Sequence, residues 1–198
     1  MRPTACLQVL ASLLKKPFFT ADEAKKLGVH PSVLGHYVKT GRLKRMRRGV
    51  YQCINYRNPS TFRYSDLIEA VYSVKGGVIC LISALAIYNL TDEIPRKHWI
   101  AIRHGTSVKA TRLLKIVRYR NMELGKTQIN LEDVIVPIFD RERTVIDAFR
   151  LLSREIAIKS LKAAIIQSGK NKLDLIKLEA YAKKLRFDIT PYLLSVTT

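Results

Sequence analysis

Apolar residues recur at helical spacing near the start of the chain and predict two short helices. The first has its apolar positions within residues 7–14, and Pro17 cannot continue it. The second begins at Thr20, because Glu23 stands three residues later and the two residues form a capping box. It ends at Gly28, since glycine readily adopts the left-handed conformation of a helix C-terminus.

A third helix is predicted from Pro31, which suits a first helical turn, to about Thr40. Gly41 follows and can end it. Leu34, Tyr37 and Val38 lie on one face, which we expect to be buried. The opposite face carries small, polar or basic side chains: Ser32, Gly35, His36 and Lys39.

The segment Arg42–Gln52 follows the third helix and has the pattern of a basic β-hairpin. Leu43 and the pair Val50–Tyr51 predict two short strands, with Arg47, Arg48 and Gly49 at the turn between them. The second and third helices, joined at Gly28, have the length and turn chemistry of a helix-turn-helix. Three helices and a basic hairpin in this order predict a winged helix-turn-helix.

The rest of the chain mixes helical and strand patterns without a repeat. Helices are predicted over residues 65–75, 79–89, 141–152, 154–167 and 173–185, and strands over 98–103, 114–119, near 129 and over 134–138. Clustered strands flanked by runs of helices favour an α+β fold over a regular βαβ repeat. Pro59 among turn-forming residues marks a boundary. We therefore predict a winged helix domain over residues 1–58 and an α+β domain, with a small sheet and several helices, over residues 62–198.

Composition adds a large positive charge to this picture. The 198 residues are 47% hydrophobic, enough for a buried core, and 35 Lys+Arg against 16 Asp+Glu give a net charge of +19. Residues 1–60 hold 12 of the basic residues and only 2 acids, and residues 96–126 hold 9 basic residues and 1 acid. Charge of this kind attracts polyanions such as nucleic acid or an anionic membrane.

The sequence lacks the usual signs of metal, cofactor or membrane chemistry. Three cysteines without a CxxC pair and four histidines without ligand spacing predict no metal site, and no phosphate-binding glycine motif indicates a cofactor. The best membrane candidate, Val78–Leu90, has 13 residues, whereas a spanning helix needs about 20. We therefore expect a reduced, soluble cytoplasmic protein with no cofactor and no membrane partner.

A DNA-binding function would explain both the polar face of the third helix and the basic segment that follows this helix in the sequence. A recognition helix presents short polar side chains to base edges, while arginines and lysines beside it contact phosphates. The candidates on the helix are Ser32, His36, Lys39 and Thr40. The candidates in the basic segment after the helix are Arg42, Lys44, Arg45, Arg47 and Arg48.

Each helix candidate also has a purely structural interpretation. Ser32 could cap its helix, His36 could be a solvated surface residue, and Lys39 could favour a helix C-terminus. The run Arg42–Arg48 is harder to explain in that way, because five of its seven residues are basic and none is acidic.

A second basic patch is predicted within residues 96–126. Its members are Arg103, Lys109, Arg112, Lys115, Arg118 and Arg120. They could extend a DNA footprint or bind another polyanion, or they could form the solvated face of a sheet.

Three segments of the chain, Gly41–Tyr51, Ile79–Thr91 and Asp140–Phe149, resemble the AbiEi family in the same order. AbiEi proteins are the antitoxin and transcriptional regulator components of type IV toxin–antitoxin systems. The resemblance implies a bacterial, nucleoid-associated repressor that binds inverted repeats in double-stranded operator DNA at its own promoter. It also implies a nucleotidyltransferase-like toxin that is opposed without a stable complex, and a second domain that carries the antitoxic activity. The protein would be a monomer in solution or would self-associate on DNA.

Two other function classes stay open. The same basic surface would serve an RNA-binding accessory protein. A metal-dependent nuclease or nucleotidyltransferase would use Asp140, Glu142 and Asp147. An ion-pair ladder from Asp147 to Arg143 and Arg150, with Asp140 as a helix cap, explains these carboxylates without catalysis. We therefore predict that the protein is not an enzyme.

Overall fold

The computed structural model describes residues 8–16, 18–56, 64–108, 112–132 and 134–197. The chain is mixed α+β, with small sheets and several helices, as predicted. It divides into two compact units, one of Met1–Lys75 with Leu131–Val134 and the other of Gly76–Asn130 with Ile135–Thr198. The predicted domain boundary at residues 58–62 stays a prediction, because most of the linking segment lies outside the described residues.

The first unit contains a three-stranded sheet and short helices. The helices are α1 (Ala11–Leu14), α2 (Ala21–Lys26), α3 (Pro31–Lys39) and α4 (Ser65–Ser73). The strands are β1 (Phe19–Thr20), β2 (Leu43–Arg47) and β3 (Val50–Cys53), in the order β1-β3-β2 with antiparallel pairing throughout. Leu7 and Pro17, on which part of the first predicted helix rests, lie outside the described residues.

Local sequence explains where α2 and α3 begin and end. The Thr20 hydroxyl accepts a hydrogen bond from the Glu23 amide, and the Glu23 carboxylate accepts one from the Thr20 amide, which is the predicted capping box. Pro31 stands in the first turn of α3. Gly28 has a φ of +79°, which the turn between α2 and α3 requires and glycine adopts without strain.

The core of the first unit fixes α3 and the hairpin together. Its buried members are Leu10, Leu13, Phe19, Ala24, Val29, Leu34, Tyr37, Leu43 and Tyr51. Leu34 and Tyr37 come from the predicted apolar face of α3, and Leu43 and Tyr51 come from the two hairpin strands. The exposed surfaces of helix and hairpin are therefore held by one shared set of buried side chains.

The second unit contains a five-stranded sheet in the order β6-β5-β4-β8-β7. The strands are β4 (Val78–Ile79), β5 (His98–Arg103), β6 (Leu114–Tyr119), β7 (Lys126–Leu131) and β8 (Val134–Phe139). The helices are α5 (Leu81–Ile87), α6 (Arg141–Leu151), α7 (Arg154–Ile166), α8 (Leu175–Lys184) and α9 (Thr190–Thr197). Strand β4 pairs parallel to β8 and antiparallel to β5, and β5 pairs parallel to β6.

The helix predicted from Ile79 is wrong in its first residues. Val78 and Ile79 form the central strand β4, and α5 begins only at Leu81. Ile79 is fully buried and pairs with Ile100 of β5 and Ile138 of β8. A continuous apolar run suits both a buried helix and a central strand, and the two neighbouring strands decide between them.

Candidate nucleic-acid interface

The four helix candidates lie on the exposed side of α3. Ser32, His36, Lys39 and Thr40 are all exposed, whereas Leu34 is fully buried on the opposite side. The structure therefore brings these four residues onto one accessible surface.

The N-terminus of α3 is capped by a residue that the sequence pattern did not predict as a cap. His30 Nδ1 accepts a hydrogen bond from the Ser32 amide at 3.3 Å and lies 2.9 Å from the Ser32 hydroxyl. Ser32 is therefore inside the helix rather than its cap. At the other end, the Thr40 hydroxyl donates to the His36 carbonyl at 3.1 Å. The exposed side chains of His36 and Lys39 lie on the helix between these two capping contacts.

The hairpin presents its basic residues next to the end of α3. The Arg42 amide donates to the Tyr37 carbonyl at 2.9 Å, which continues the chain directly from the helix into β2. Gly49 has a φ of +79° and forms the predicted turn together with Arg48. The prediction that Arg47 also lies in the turn is wrong, because Arg47 is the last residue of β2 and pairs with Val50. The pairing of β2 with β3 shifts between Arg45 and Arg47, so a bulge interrupts the strand that carries the basic run.

The five basic residues of the hairpin fall into two groups. Arg42, Arg45 and Arg48 are exposed, and none makes an ion pair within the part of the chain that the structure describes. Lys44 is also exposed, but its ammonium group lies 2.8 Å from the Glu69 carboxylate on α4.

Arg47 is the least accessible of the five. Its Nε donates to the Tyr72 carbonyl of α4 at 2.7 Å, and the side chain is partly buried. Burial lowers the pKa of Arg47 from its ordinary value, although the guanidinium stays charged at neutral pH because that value is so high. The role of α4 could not be predicted from the sequence, since Arg47 and Tyr72 are 25 positions apart and no local pattern links them.

The second basic patch does not form one face. Arg103, Arg112, Lys115, Arg118 and Arg120 are exposed, and Lys109 lies outside the described residues. The five described members lie on β5, on β6 or next to β6, which is an edge strand of the five-stranded sheet.

Strand register separates the members of this patch. Lys115 pairs with Trp99 and Arg118 pairs with Ile102, so these two basic side chains point to opposite faces of the sheet. The Lys115 ammonium lies 5.6 Å from the centre of the Trp99 ring, and Arg103 lies 3.9 Å from the Glu123 carboxylate. The described basic residues of this stretch therefore place positive charge around the β6 edge.

The carboxylate candidates for catalysis are held in ion pairs. Asp147 is buried and lies 2.7 Å from Arg143 and 2.9 Å from Arg150, which confirms the predicted ladder. Burial raises the pKa of Asp147, against the lowering effect of the two guanidinium groups. Arg143 also donates to the carbonyls of Leu124 and Asn121, so the ladder ties α6 to the loop after β6.

Asp140 caps α6, as predicted, because its carboxylate accepts a hydrogen bond from the Arg143 amide at 2.9 Å. The ammonium group of Lys177 lies between Asp140 and Glu142, at 2.9 and 3.1 Å. Burial lowers the pKa of Lys177, but its hydrogen bonds to the two carboxylates outweigh this and raise the pKa. Within the described residues no group of three potential metal ligands is found.

Insertion into a membrane would require a long apolar helix. In the described part of the chain, no helix is both long and apolar enough to cross a bilayer.

A comparison with known protein families gives a match to part of the chain. Residues 8–53 match the family described as transcriptional regulator, AbiEi antitoxin. This confirms the AbiEi resemblance for the segment that includes α1–α3 and β1–β3 and therefore every helix and hairpin candidate. A search of curated proteins finds no match.

Proposed function

We propose that the chain is a DNA-binding transcriptional repressor and antitoxin of a type IV, AbiE-like toxin–antitoxin system. The observation that carries the proposal is the surface formed by the exposed side of α3 and Arg42, Arg45 and Arg48, which all lie in the AbiEi match. This surface combines short polar side chains with arginines that have no acidic partner in the described chain.

In this proposal α2 and α3 act as a helix-turn-helix and the β2–β3 hairpin acts as its wing. Helix α3 enters the major groove, where Ser32, His36, Lys39 and Thr40 face base edges. Arg45 and Arg48 contact phosphates or the minor groove beside it. Lys44 and Arg47 contribute less to DNA binding, because each already bonds to α4. Lys44 pairs with the Glu69 carboxylate, and Arg47 donates to the Tyr72 carbonyl.

The biological role is the next part of the proposal, and the AbiEi match over residues 8–53 supports it. The protein binds inverted repeats in its own promoter, represses the operon and opposes a nucleotidyltransferase-like toxin without forming a stable complex with it. The α+β domain carries the antitoxic activity, and two protomers self-associate on the two half-sites.

A competition assay tests the nucleic acid that the surface prefers. The full chain is titrated with a labelled duplex from the region upstream of its own reading frame, against a scrambled duplex of equal length and a structured RNA. We expect the upstream duplex to bind at least about a thousandfold more tightly than the scrambled one, the lower end for specific recognition. Equal binding of the two duplexes would contradict an operator, and preference for the RNA would favour an RNA-binding accessory protein.

A further inference from the structure

Helix α3 contains a glycine that its own fold does not require. Gly35 stands in the middle of Pro31–Lys39, four residues after the first position and four before the last. Its φ is not in the left-handed region, unlike those of Gly28 and Gly41 on either side of the helix. Any residue except proline could adopt the backbone conformation of Gly35.

Packing does not require this glycine either. A Cβ atom built on Gly35 would meet no atom within 4 Å other than those of its two chain neighbours and the backbone of its own helix. Glycine is among the poorest helix formers, because it loses the most backbone entropy on folding and leaves the backbone exposed. An alanine at this position would fit the described structure and favour the helix.

The position of Gly35 connects it with the proposed DNA-binding surface. Residues three and four apart are neighbours on a helix, so Gly35 lies between Ser32 and Lys39 on the surface of α3. Both neighbours are exposed, and Gly35 itself is partly exposed. The absence of a side chain therefore leaves a strip of bare helix backbone beside two of the helix candidates.

We propose that Gly35 is a positioning residue that lets α3 approach DNA closely. This inference rests on the proposed function. Glycine is the residue that allows a backbone to come near a ligand, and a methyl group would hold the helix away from the groove. The stability that the glycine costs is then offset by contacts made only in the complex.

Substitution of Gly35 separates helix stability from DNA binding. We expect Gly35→Ala to raise the melting temperature by about 2–4 °C, because alanine favours the helix and meets no neighbouring atom. The dissociation constant for the upstream duplex should rise by about tenfold or more, as when one base contact is lost. Gly35→Leu should weaken binding further, since leucine is also a good helix former but much larger.

A matched control uses another exposed helical position. Ser12→Ala in α1 also improves helix propensity, changes an exposed residue that is not among the DNA-binding candidates and should leave the dissociation constant unchanged. If Gly35→Ala binds the duplex as tightly as the wild type, or melts at a lower temperature, the inference about Gly35 is wrong while the proposed function stands. If the wild type itself fails to bind the upstream duplex, the proposed function fails.

Discussion

Arg143 and Asp147 show how one motif can suggest catalysis and serve structure. Both side chains are almost completely buried, and their 2.7 Å ion pair is extended by Arg150. A buried guanidinium must be paired and hydrogen-bonded, and Arg143 meets this need with Asp147 and two loop carbonyls. The spacing of three and four residues made this ladder predictable from the sequence.

We therefore expect Asp147→Ala to destabilise the fold strongly. It leaves Arg143 buried without its carboxylate, which costs about 3–5 kcal/mol of unfolding free energy. Chemical denaturation of the purified variant measures this loss. Asp92→Ala removes an exposed carboxylate and serves as the control. A loss of less than about 1 kcal/mol for Asp147→Ala, within the range of an exposed ion pair, would show that the ladder does not hold α6.

His30 marks a limit of prediction at single positions. Capping preferences identified Thr20, since threonine and glutamate at this spacing are a common helix start. They did not identify His30 as the cap of α3, because histidine is not among the usual capping residues. The polar face of α3 was still predicted, because it depends on helical period rather than on the cap.

At the level of elements, local patterns predicted α3 and the hairpin but not the contacts of the hairpin with α4. Pro31, Gly41 and Gly49 act within a few residues and can be interpreted from the sequence. Strand β1 was missed, because its two residues, Phe19 and Thr20, are too few to show a period. The ion pair from Lys44 to Glu69 joins residues 25 positions apart and depends on tertiary packing.

This ion pair predicts a gain of DNA affinity. In the proposed DNA complex Glu69 would compete with phosphate for Lys44 and repel the duplex, so Glu69→Gln should lower the dissociation constant about two- to fivefold at low salt. The gain should vanish at high salt, where exposed charges are screened. Fluorescence titration at two ionic strengths measures both effects, with Glu179→Gln on α8 as the control. Weaker binding by Glu69→Gln would mean that Lys44 needs Glu69 to hold its position.

At the scale of the whole molecule, the net charge predicts a polyanionic partner, and the arrangement of the basic residues predicts that this partner is duplex DNA. The net charge of +19 is compatible with any polyanion. Its concentration around α3 and the hairpin favours duplex DNA, and the AbiEi match covers that same segment. The basic stretch 96–126 could not be placed from the sequence, because strand register distributes Lys115 and Arg118 to opposite faces.

The salt dependence of DNA binding tests the central claim most directly. Each phosphate contact releases counterions, so Arg45→Ala with Arg48→Ala should weaken binding to all duplexes and reduce the slope of log K against log salt by about two. The matched control replaces Lys183 and Lys184, two exposed lysines at the end of α8, with alanine. We predict that the hairpin variant loses affinity and slope while the α8 variant keeps the wild-type slope. Unchanged affinity and slope in the hairpin variant would contradict the assignment of the β2–β3 hairpin as a DNA-binding wing.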